Sequence, residues 1–374
     1  MIPCDKFYSA LINENIGFFA GVPDSLLKDI CGYISDHAPA GRHVIAANEG
    51  AALGLAAGSY LATARPGLVY LQNSGLGNLI NPLTSLTDPE VYSIPVLLLI
   101  GWRGEPGVHD EPQHRKQGRV MLSTLDALEI PYEILPESLE AAEKIITSAA
   151  KSIRERSAPY AIVVRKNTFE SYKLQGKAPD AQLLRREDAL KLILDSLRAD
   201  EVIVSTTGMA SREVFEYREN AKSGHSKDFL TVGCMGHASQ IALGVALEKP
   251  HRPVYCLDGD GSTIMHMGSL AIIGATGLRN FRHVVINNGA HDSVGGQPTV
   301  GMHVNFSAIA TACGYRWVRS TNDPDVIPRL LSEMANSTGP AFFEIKVNKG
   351  ARADLGRPTT TTFDNKREFM TYLQ

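Results

Sequence analysis

The segment Gly259-Asp260-Gly261-Ser262 follows an apolar run, Val254-Tyr255-Cys256-Leu257, and a second apolar run, His283-Val284-Val285-Ile286, leads into Asn287-Asn288. Each run has the length of a buried strand, and the segment between the runs has the length of a helix. The pattern predicts a strand, a tight turn that carries an acid, a helix and a neighbouring parallel strand. Because the carboxyl ends of parallel strands meet at one edge of a sheet, we expect the acid and the amides to lie together.

This combination of an acid and amides suits the capture of a diphosphate through a divalent cation. The glycines on either side of Asp260 let backbone N–H groups approach phosphate oxygens, and Asp260 supplies a carboxylate oxygen. The side-chain oxygen of an Asn on the next strand and a backbone carbonyl beyond it would complete an all-oxygen ligand set of the kind that Mg²⁺ prefers. Alone, GDG is a common turn and NN is typical of a surface loop. Their βαβ spacing favours the metal site.

The GDG and NN pair resembles the thiamine-diphosphate motif of the superfamily that contains 2-keto acid decarboxylases and acetolactate synthase. The resemblance implies that thiamine diphosphate and Mg²⁺ are the cofactors. It implies that the metal ligands are Asp260, Asn288 and the carbonyl of Ala290, while Asn287 supports the loop. It also implies that thiamine diphosphate contacts Glu49, Met235, Gly259, Gly261 and Ser262 as well as the metal ligands Asp260 and Asn288.

Two of the predicted cofactor-binding positions in the second half have an ordinary structural alternative. Thr207 and Gly208 precede a predicted helix, where they suit phosphate contacts and where helix capping explains them equally well. By the resemblance, a bulky apolar residue at the position of Met235 holds the cofactor in a bent conformation. A methionine that fills the core is the alternative.

Length and composition are those of a soluble globular protein with room for two domains. The chain has 374 residues, of which 44% are apolar and 21% are charged. The net charge of −3 gives no general attraction to nucleic acid or to an anionic membrane surface. The longest apolar run, Ile94 to Ile100, contains Pro95 and is too short to span a bilayer. The five cysteines show no CxxC spacing and no signal peptide is recognisable, so we expect buried free thiols in a cytoplasmic protein.

An internal duplication indicates the domain organisation. The small-residue pattern Ala52-Leu53-Gly54-Leu55-Ala56 recurs as Ala242-Leu243-Gly244-Val245-Ala246. With the resemblance, it predicts two doubly wound parallel-sheet α/β domains. We expect a pyrimidine-binding domain over residues 1–165, a linker over 166–184 and a diphosphate-binding domain over 185–374, without a middle domain.

Glu49 is the candidate catalytic carboxylate of the first half. It ends a predicted strand and precedes the first small-residue helix. It could simply be a carboxylate at a helix start that backbone donors satisfy. In the resembling superfamily, a glutamate in this context hydrogen-bonds N1′ of the aminopyrimidine and favours the imino tautomer that removes the thiazolium C2 proton. A carboxylate in a low-dielectric pocket suits that role.

Two further residues are candidates for proton transfer. Asp24 follows a short predicted strand, where it either caps the next helix or takes part in catalysis. The polar segment from Gly107 to Arg119 follows another buried strand and has two open interpretations. It is a solvated surface loop, or it recognises an anionic substrate, with His114 as the proton relay.

Within the superfamily, the short two-domain form resembles the branch that decarboxylates phosphonopyruvate. The matching segments are NEGAALGLAAG (48–58), DEPQH (110–114), GCMGHASQIALG (233–244), NNGAHDSVGGQPT (287–299) and RADLGRPTT (352–360). The resemblance implies decarboxylation of 3-phosphonopyruvate to phosphonoacetaldehyde in phosphonate biosynthesis. Sulfopyruvate is the alternative substrate, and an acetolactate-synthase-like carboligase is a more remote alternative because such enzymes usually have a middle domain.

The substrate and the assembly give the last expectations. A phosphonate carries close to two negative charges, so its pocket needs cations or helix N-termini. Arg115, Arg352 and Arg357 are the candidates, and a solvated surface role is the alternative for each. Pyruvate decarboxylases have a glutamate after the NN loop, whereas Ser293 and Val294 stand there in this chain. The superfamily joins its two halves across subunits, which implies at least a homodimer with active sites between subunits.

Overall fold

The computed structural model describes residues 1–175, 180 and 183–374. It divides into two compact units, Met1–Gly176 and Lys177–Gln374. Part of the predicted linker, residues 176–179 and 181–182, lies outside the described residues. The first part of that linker packs on the first unit, where the backbone N–H of Tyr172 donates to Asp29 at 3.0 Å and the Tyr172 hydroxyl donates to Asp36 at 2.9 Å.

The first unit is built on a six-stranded parallel sheet. Alternate residues of its central strands are buried on opposite faces, so that Leu97 and Leu99 belong to one apolar cluster and Leu98 and Ile100 to the other. Helices therefore cover both faces. The strands are β1 Phe19–Gly21, β2 His43–Ile45, β3 Gly67–Gln72, β4 Val96–Gly101, β5 Tyr132–Ile134 and β6 Tyr160–Val164. The helices are α1 Cys4–Asn13, α2 Lys28–His37, α3 Glu49–Thr63, α4 Leu76–Pro82, α5 Pro112–Ala127 and α6 Leu139–Arg156.

The second unit has a parallel sheet of the same size, again with an apolar cluster on each face. Its strands are β7 Val202–Ser205, β8 Asp228–Leu230, β9 Val254–Gly259, β10 Phe281–Asn287, β11 Trp317–Thr321 and β12 Ala341–Lys346. Its helices are α7 Arg186–Ser196, α8 Met209–Ala221, α9 Ala238–Glu248, α10 Asp260–Met265, α11 Ser269–Thr276, α12 Phe306–Ala312, α13 Ile327–Asn336 and α14 Thr362–Leu373. Short helical turns lie at Asn73–Gly75, Leu83–Thr87, Asp292–Val294 and Pro324–Val326.

The two sheets have the same topology. Their strand orders are β2-β1-β3-β4-β6-β5 and β11-β12-β10-β9-β7-β8. When strands are counted from the start of each unit and the second order is reversed, both read 2-1-3-4-6-5. The repeated small-residue pattern lies on α3 and α9, which connect the second and third strands of their units. The predicted pair of doubly wound parallel-sheet domains is confirmed, and the described residues form no middle domain.

Several local expectations differ from the structure. The predicted surface loop is wrong from Pro112 onward, because α5 begins there with the proline at a position where a missing N–H is tolerated. A tight turn was predicted at Asp260, but this residue is the first residue of helix α10. The expectation of buried thiols is wrong for Cys234, which is exposed in a turn with a φ of 53°, and Cys313 is half-buried. Within the described part of the chain, no helix combines the length and apolar content needed to cross a membrane.

Candidate active site

The carboxyl edge of the second sheet brings Asp260 and Asn288 together. β9 and β10 pair in parallel with Ile286 opposite Gly259, so the residues that follow both strands emerge side by side. Asp260 is 2% exposed, and its Oδ1 accepts a hydrogen bond from the backbone N–H of Asn288 at 3.4 Å. Its Oδ2 accepts from the hydroxyl of Thr299, a contact that sequence reasoning missed.

The other two predicted metal ligands lie in the loop that follows β10. Oδ1 of Asn288 accepts from the backbone N–H of Ala290 at 3.1 Å. Ala290 pairs with Pro298 in an isolated antiparallel bridge, which closes the loop on itself. A carboxylate, an amide oxygen and a backbone carbonyl form an all-oxygen donor set, and this chemistry fits Mg²⁺.

Asn287 supports this loop from below. It is fully buried, and its side-chain amide donates to the carbonyl of Gly301 at 2.9 Å and to Glu344 at 2.8 Å. Its Oδ1 accepts from the backbone N–H of Gly289 at 3.1 Å. A Cβ at position 301 would collide with the Asp260 carboxylate, so this close approach requires glycine. Asn287 and Gly301 thereby hold the backbone that packs against the Asp260 carboxylate.

The predicted phosphate-side residues of the second unit lie at the same edge. Ser262 accepts hydrogen bonds from the backbone N–H of Gly236 and the hydroxyl of Thr206, both at 3.0 Å. A Cβ at position 261 would lie 3.4 Å from the Met235 methyl group, and none of the described atoms lies within 4 Å of a Cβ placed at position 259. The GDGS segment therefore faces the Met235 turn, with open space around Gly259.

Thr207 and Gly208 complete this group. The Thr207 hydroxyl accepts from the backbone N–H of Gly233 at 3.0 Å, so it anchors the turn that carries Met235. Gly208 is the capping residue of α8 with a φ of 94°, and no side chain caps that helix end. The alternative of capping by the Thr207 side chain is wrong.

Glu49 is buried in the first unit as the first residue of α3. Asn48 is the capping residue, since its Oδ1 accepts from the backbone N–H of Ala51 at 2.9 Å. Glu49 is 5% exposed, and its Oε2 accepts from the side-chain amide of Asn78 at 2.7 Å. A Cβ at position 75 would overlap the carboxylate, so Gly75 makes room for it. The bonding partner of Glu49 is thus a side-chain amide.

Asp24 is fully buried at the same edge of the first sheet. Its carboxylate accepts from the Gln72 amide at 2.6 Å and from the backbone N–H of Leu26 at 3.1 Å. Burial raises its pKa, against the effect of the Gln72 hydrogen bond. The capping alternative is wrong, because α2 begins at Lys28 after Leu27.

His114 lies in the first turn of α5 and is 7% exposed. Burial, followed by the positive charge of Arg103, lowers its pKa, while Asp110 opposes the shift. Arg103 and Asp110 form a bidentate ion pair with N···O distances of 2.8 and 2.5 Å. Asp110 also accepts from the backbone N–H groups of Gly104 at 2.8 Å and Glu111 at 2.7 Å. Sequence reasoning missed this pair, which fixes the segment leading into α5.

The three candidate arginines lie in different surroundings. Arg115 is exposed in the first turn of α5, and Arg357 is exposed in the C-terminal tail. Arg352 forms ion pairs with Glu187 at 3.0 Å, with Asp354 at 3.0 Å and with Glu216. Binding of a substrate anion by Arg352 would compete with these three carboxylates. The geometry favours a structural role that ties the tail to α7 and α8.

The Asp260→Asn substitution is expected to stabilise the cofactor-free protein at neutral pH. Burial raises the pKa of Asp260 to about 6 from an ordinary value of 3.8. An acid whose pKa is raised by folding destabilises the folded state once it is ionised, here by about 1–3 kcal/mol at pH 7. The penalty is fully present above the folded pKa and disappears as the pH falls toward the unfolded value.

Urea unfolding midpoints between about pH 4 and pH 7 measure this gain, which should shrink as the pH falls. Asp110→Asn is the matched control. Burial raises the pKa of Asp110, but the hydrogen bonds from Arg103 and Gly104 and the charge of Arg103 together outweigh burial and lower it, so loss of this carboxylate should destabilise the protein. A lower urea midpoint for Asp260→Asn than for wild type at pH 7 would contradict the proposed cost of the ionised Asp260 carboxylate.

Comparison with known proteins agrees with the fold. The N-terminal TPP binding domain of thiamine pyrophosphate enzymes matches residues 5–129, and the C-terminal TPP binding domain matches residues 206–345. Phosphonopyruvate decarboxylase of Streptomyces viridochromogenes is 35% identical over 100% of this chain and 95% of its own length. The enzyme of the same name from Streptomyces hygroscopicus is 34% identical over 99% and 93%.

A more distant relative carries the alternative substrate in its name. Sulfopyruvate decarboxylase of Methanosarcina acetivorans is 26% identical over 86% of this chain and 85% of its own length. The two Streptomyces relatives exceed it in identity and in coverage, and both domain models fall on the halves that carry Glu49 and Asp260. The chain belongs to the phosphonopyruvate decarboxylase family of the thiamine-pyrophosphate enzymes.

Proposed function

We propose that this protein decarboxylates 3-phosphonopyruvate to phosphonoacetaldehyde and CO₂, with thiamine diphosphate and Mg²⁺ as cofactors, in phosphonate biosynthesis. The observation that carries the proposal is the all-oxygen group of Asp260, Asn288 and Ala290 at the edge of the second sheet. The buried Glu49 carboxylate in the first unit supports it. The full-length similarity to two phosphonopyruvate decarboxylases supports the choice of substrate.

The residues of the second unit bind the cofactor in this proposal. Asp260, the Asn288 amide oxygen and the Ala290 carbonyl would hold Mg²⁺, which would supply positive charge for the diphosphate. Backbone N–H groups of the GDGS segment and the Thr207-Gly208 turn contact the same phosphates. The Met235 side chain lies against Gly261 and sets the shape of the pocket.

The residues of the first unit take part in proton transfer in this proposal. When bound, thiamine diphosphate supplies a nucleophilic carbon and an electron sink for the pair left by departing CO₂. Glu49 would share a hydrogen bond with N1′ of the aminopyrimidine ring, and Asn78, which donates to its Oε2, fixes the direction of the carboxylate. Asp24, whose pKa burial raises, and His114, whose pKa burial lowers, are assigned to proton delivery at the product carbon.

The phosphonate group needs fixed positive charge or N–H donors. Arg115, Arg352 and Arg357 are the proposed cations, and Arg352 would have to leave the carboxylates of Glu187, Glu216 and Asp354 to bind the substrate. Sulfopyruvate is the second candidate substrate, because a 26% identical relative bears that name. A carboligase activity is less favoured, since the described residues form two units with no middle domain.

A parallel assay of three keto acids tests the substrate. We expect CO₂ and aldehyde release to be fastest from phosphonopyruvate, slower from sulfopyruvate and slowest from pyruvate, because the proposed cations favour a second anion. The reaction should stop when thiamine diphosphate or Mg²⁺ is withheld. Faster turnover of sulfopyruvate would make it the substrate and leave the proposed mechanism unchanged. Release of CO₂ without the cofactors would overturn both the proposed substrate and the proposed mechanism.

The Glu49→Gln substitution is expected to lower kcat by about 10²–10⁴-fold and to leave cofactor binding nearly unchanged, because the amide cannot drive proton transfer. Asp260→Asn is the matched comparison, since it removes a proposed metal ligand and should lose cofactor binding together with turnover. Calorimetric titration with thiamine diphosphate in Mg²⁺ separates binding from turnover. Activity within a few fold of wild type for Glu49→Gln would exclude its assigned role.

We further propose that the protein is a cytoplasmic homo-oligomer, at least a dimer, whose active sites join the first half of one copy to the second half of another. Its five free cysteines fit a reducing compartment. The shared sites follow the arrangement that the sequence resemblance implies.

Mixing two inactive variants tests this assembly. Glu49→Gln and Asp260→Asn are unfolded together and refolded as a mixture. In a randomly paired dimer with shared sites, about a quarter of wild-type activity should return, because half of the dimers regain one intact site. Separately refolded variants should stay inactive. No recovery in a mixture that light scattering shows to be dimeric would place each site within one copy.

A further inference from the structure

Asp292, within the matching segment 287–299, contacts the candidate metal ligand Asn288. Its Oδ2 accepts a hydrogen bond from the Asn288 side-chain amide at 2.7 Å. The backbone N–H of Gly350 lies 3.0 Å from both oxygens of the same carboxylate. The Arg186 guanidinium donates to Oδ2 at 2.5 Å. The carboxylate is therefore held by three donors from three separate parts of the second unit.

The chemistry of an amide makes this contact selective. The oxygen and nitrogen of an Asn side chain have nearly the same size, but only the oxygen can bind a cation. An ionised carboxylate accepts hydrogen bonds and cannot donate them, so Asn288 must turn its nitrogen toward Asp292. Its oxygen then faces the opposite side, where it accepts from Ala290. Asp292 thus selects the orientation of Asn288 that a metal requires.

Arg186 keeps Asp292 in place. Its side chain is 7% exposed and also forms a bidentate pair with Glu213, at 2.8 and 2.9 Å. The side chains of Glu213 and Asp292 are 2% and 9% exposed. Arg186 therefore compensates the charge of Asp292, and its removal would leave that carboxylate without a cation.

We propose that Asp292 is a positioning residue for the metal site, which fixes the amide of Asn288 with its oxygen toward Mg²⁺ while Arg186 anchors the carboxylate. The inference rests on the proposed function in one respect, which is that Asn288 binds the metal. Groups in this position around a metal commonly change its affinity by about 10–100-fold when they are lost.

The test measures how the binding of thiamine diphosphate depends on Mg²⁺, by calorimetric titration without substrate. Asp292→Asn is expected to raise the Mg²⁺ concentration needed for half-maximal binding by about 10–100-fold, because the new amide lets Asn288 turn over. Glu213→Gln is the matched control, since it removes the other carboxylate on Arg186 and does not touch Asn288. It should keep the wild-type Mg²⁺ dependence.

A polarity swap distinguishes positioning from a merely structural contact. In the double variant Asn288→Asp with Asp292→Asn, the new carboxylate has two equivalent oxygens, and the new amide donates to one of them. The double variant should bind the cofactor at lower Mg²⁺ than either single variant. Asn288→Asp alone places two carboxylates face to face. It should therefore need more Mg²⁺ than the double variant to bind the cofactor.

The outcomes distinguish a failure of the positioning role from a failure of the proposed function. Unchanged Mg²⁺ dependence in Asp292→Asn, an equal loss in Glu213→Gln, or no recovery in the double variant would each overturn the positioning role. If Asp292→Asn does not fold, the comparison of the double variant with Asn288→Asp still decides. Wild-type protein that binds thiamine diphosphate without regard to Mg²⁺ would instead overturn the proposed function.

Discussion

The pairing of β9 with β10 is the constraint on which the candidate site depends. Parallel neighbours cannot be joined by a tight turn, so the chain must leave β9, form helices and return to the same end of the sheet. That requirement makes Asp260 the first residue of a helix and delivers Asn287 and Asn288 beside it. The oxygen donors come together because the backbone register brings them together, before any cofactor is considered.

The carboxylates of Asp260 and Asp292 have contrasting partners. Asp292 accepts from a guanidinium, whereas the described partners of Asp260 are a hydroxyl and backbone N–H groups. A buried carboxylate compensated by neutral donors is less stable than one with a cation beside it. The protein thus retains a locally unfavourable charge at the position where a divalent cation would relieve it.

The sequence predicted those parts that depend on short-range patterns. The GDG and NN segments close apolar strands, and the duplicated small-residue helices indicate two similar units. The short strand β5 was missed because its three residues, which include Glu133, are half-buried and show no apolar run. The start of α5 was missed because its first residues are polar and begin with a proline.

Long-range electrostatic partners could not be predicted in the same way. Arg186 and Asp292 are 106 positions apart in the chain, and no local pattern pairs them. The same limit applies to Arg352, whose partners Glu187 and Glu216 lie on two helices of the second unit. The positive charge of Arg352 was evident from the sequence, but the carboxylates that pair with it were not. The sequence therefore could not show that Arg352 is already paired with carboxylates.

The identical topology of the two sheets has an evolutionary consequence. Each described strand pairs within its own unit, and each unit has an apolar cluster on both faces of its sheet. Neither sheet borrows a strand from the other. A gene encoding one such unit could therefore have been duplicated in tandem, after which one copy kept a buried glutamate and the other kept the candidate metal ligands. Fission of the gene between the units would leave both sheets complete.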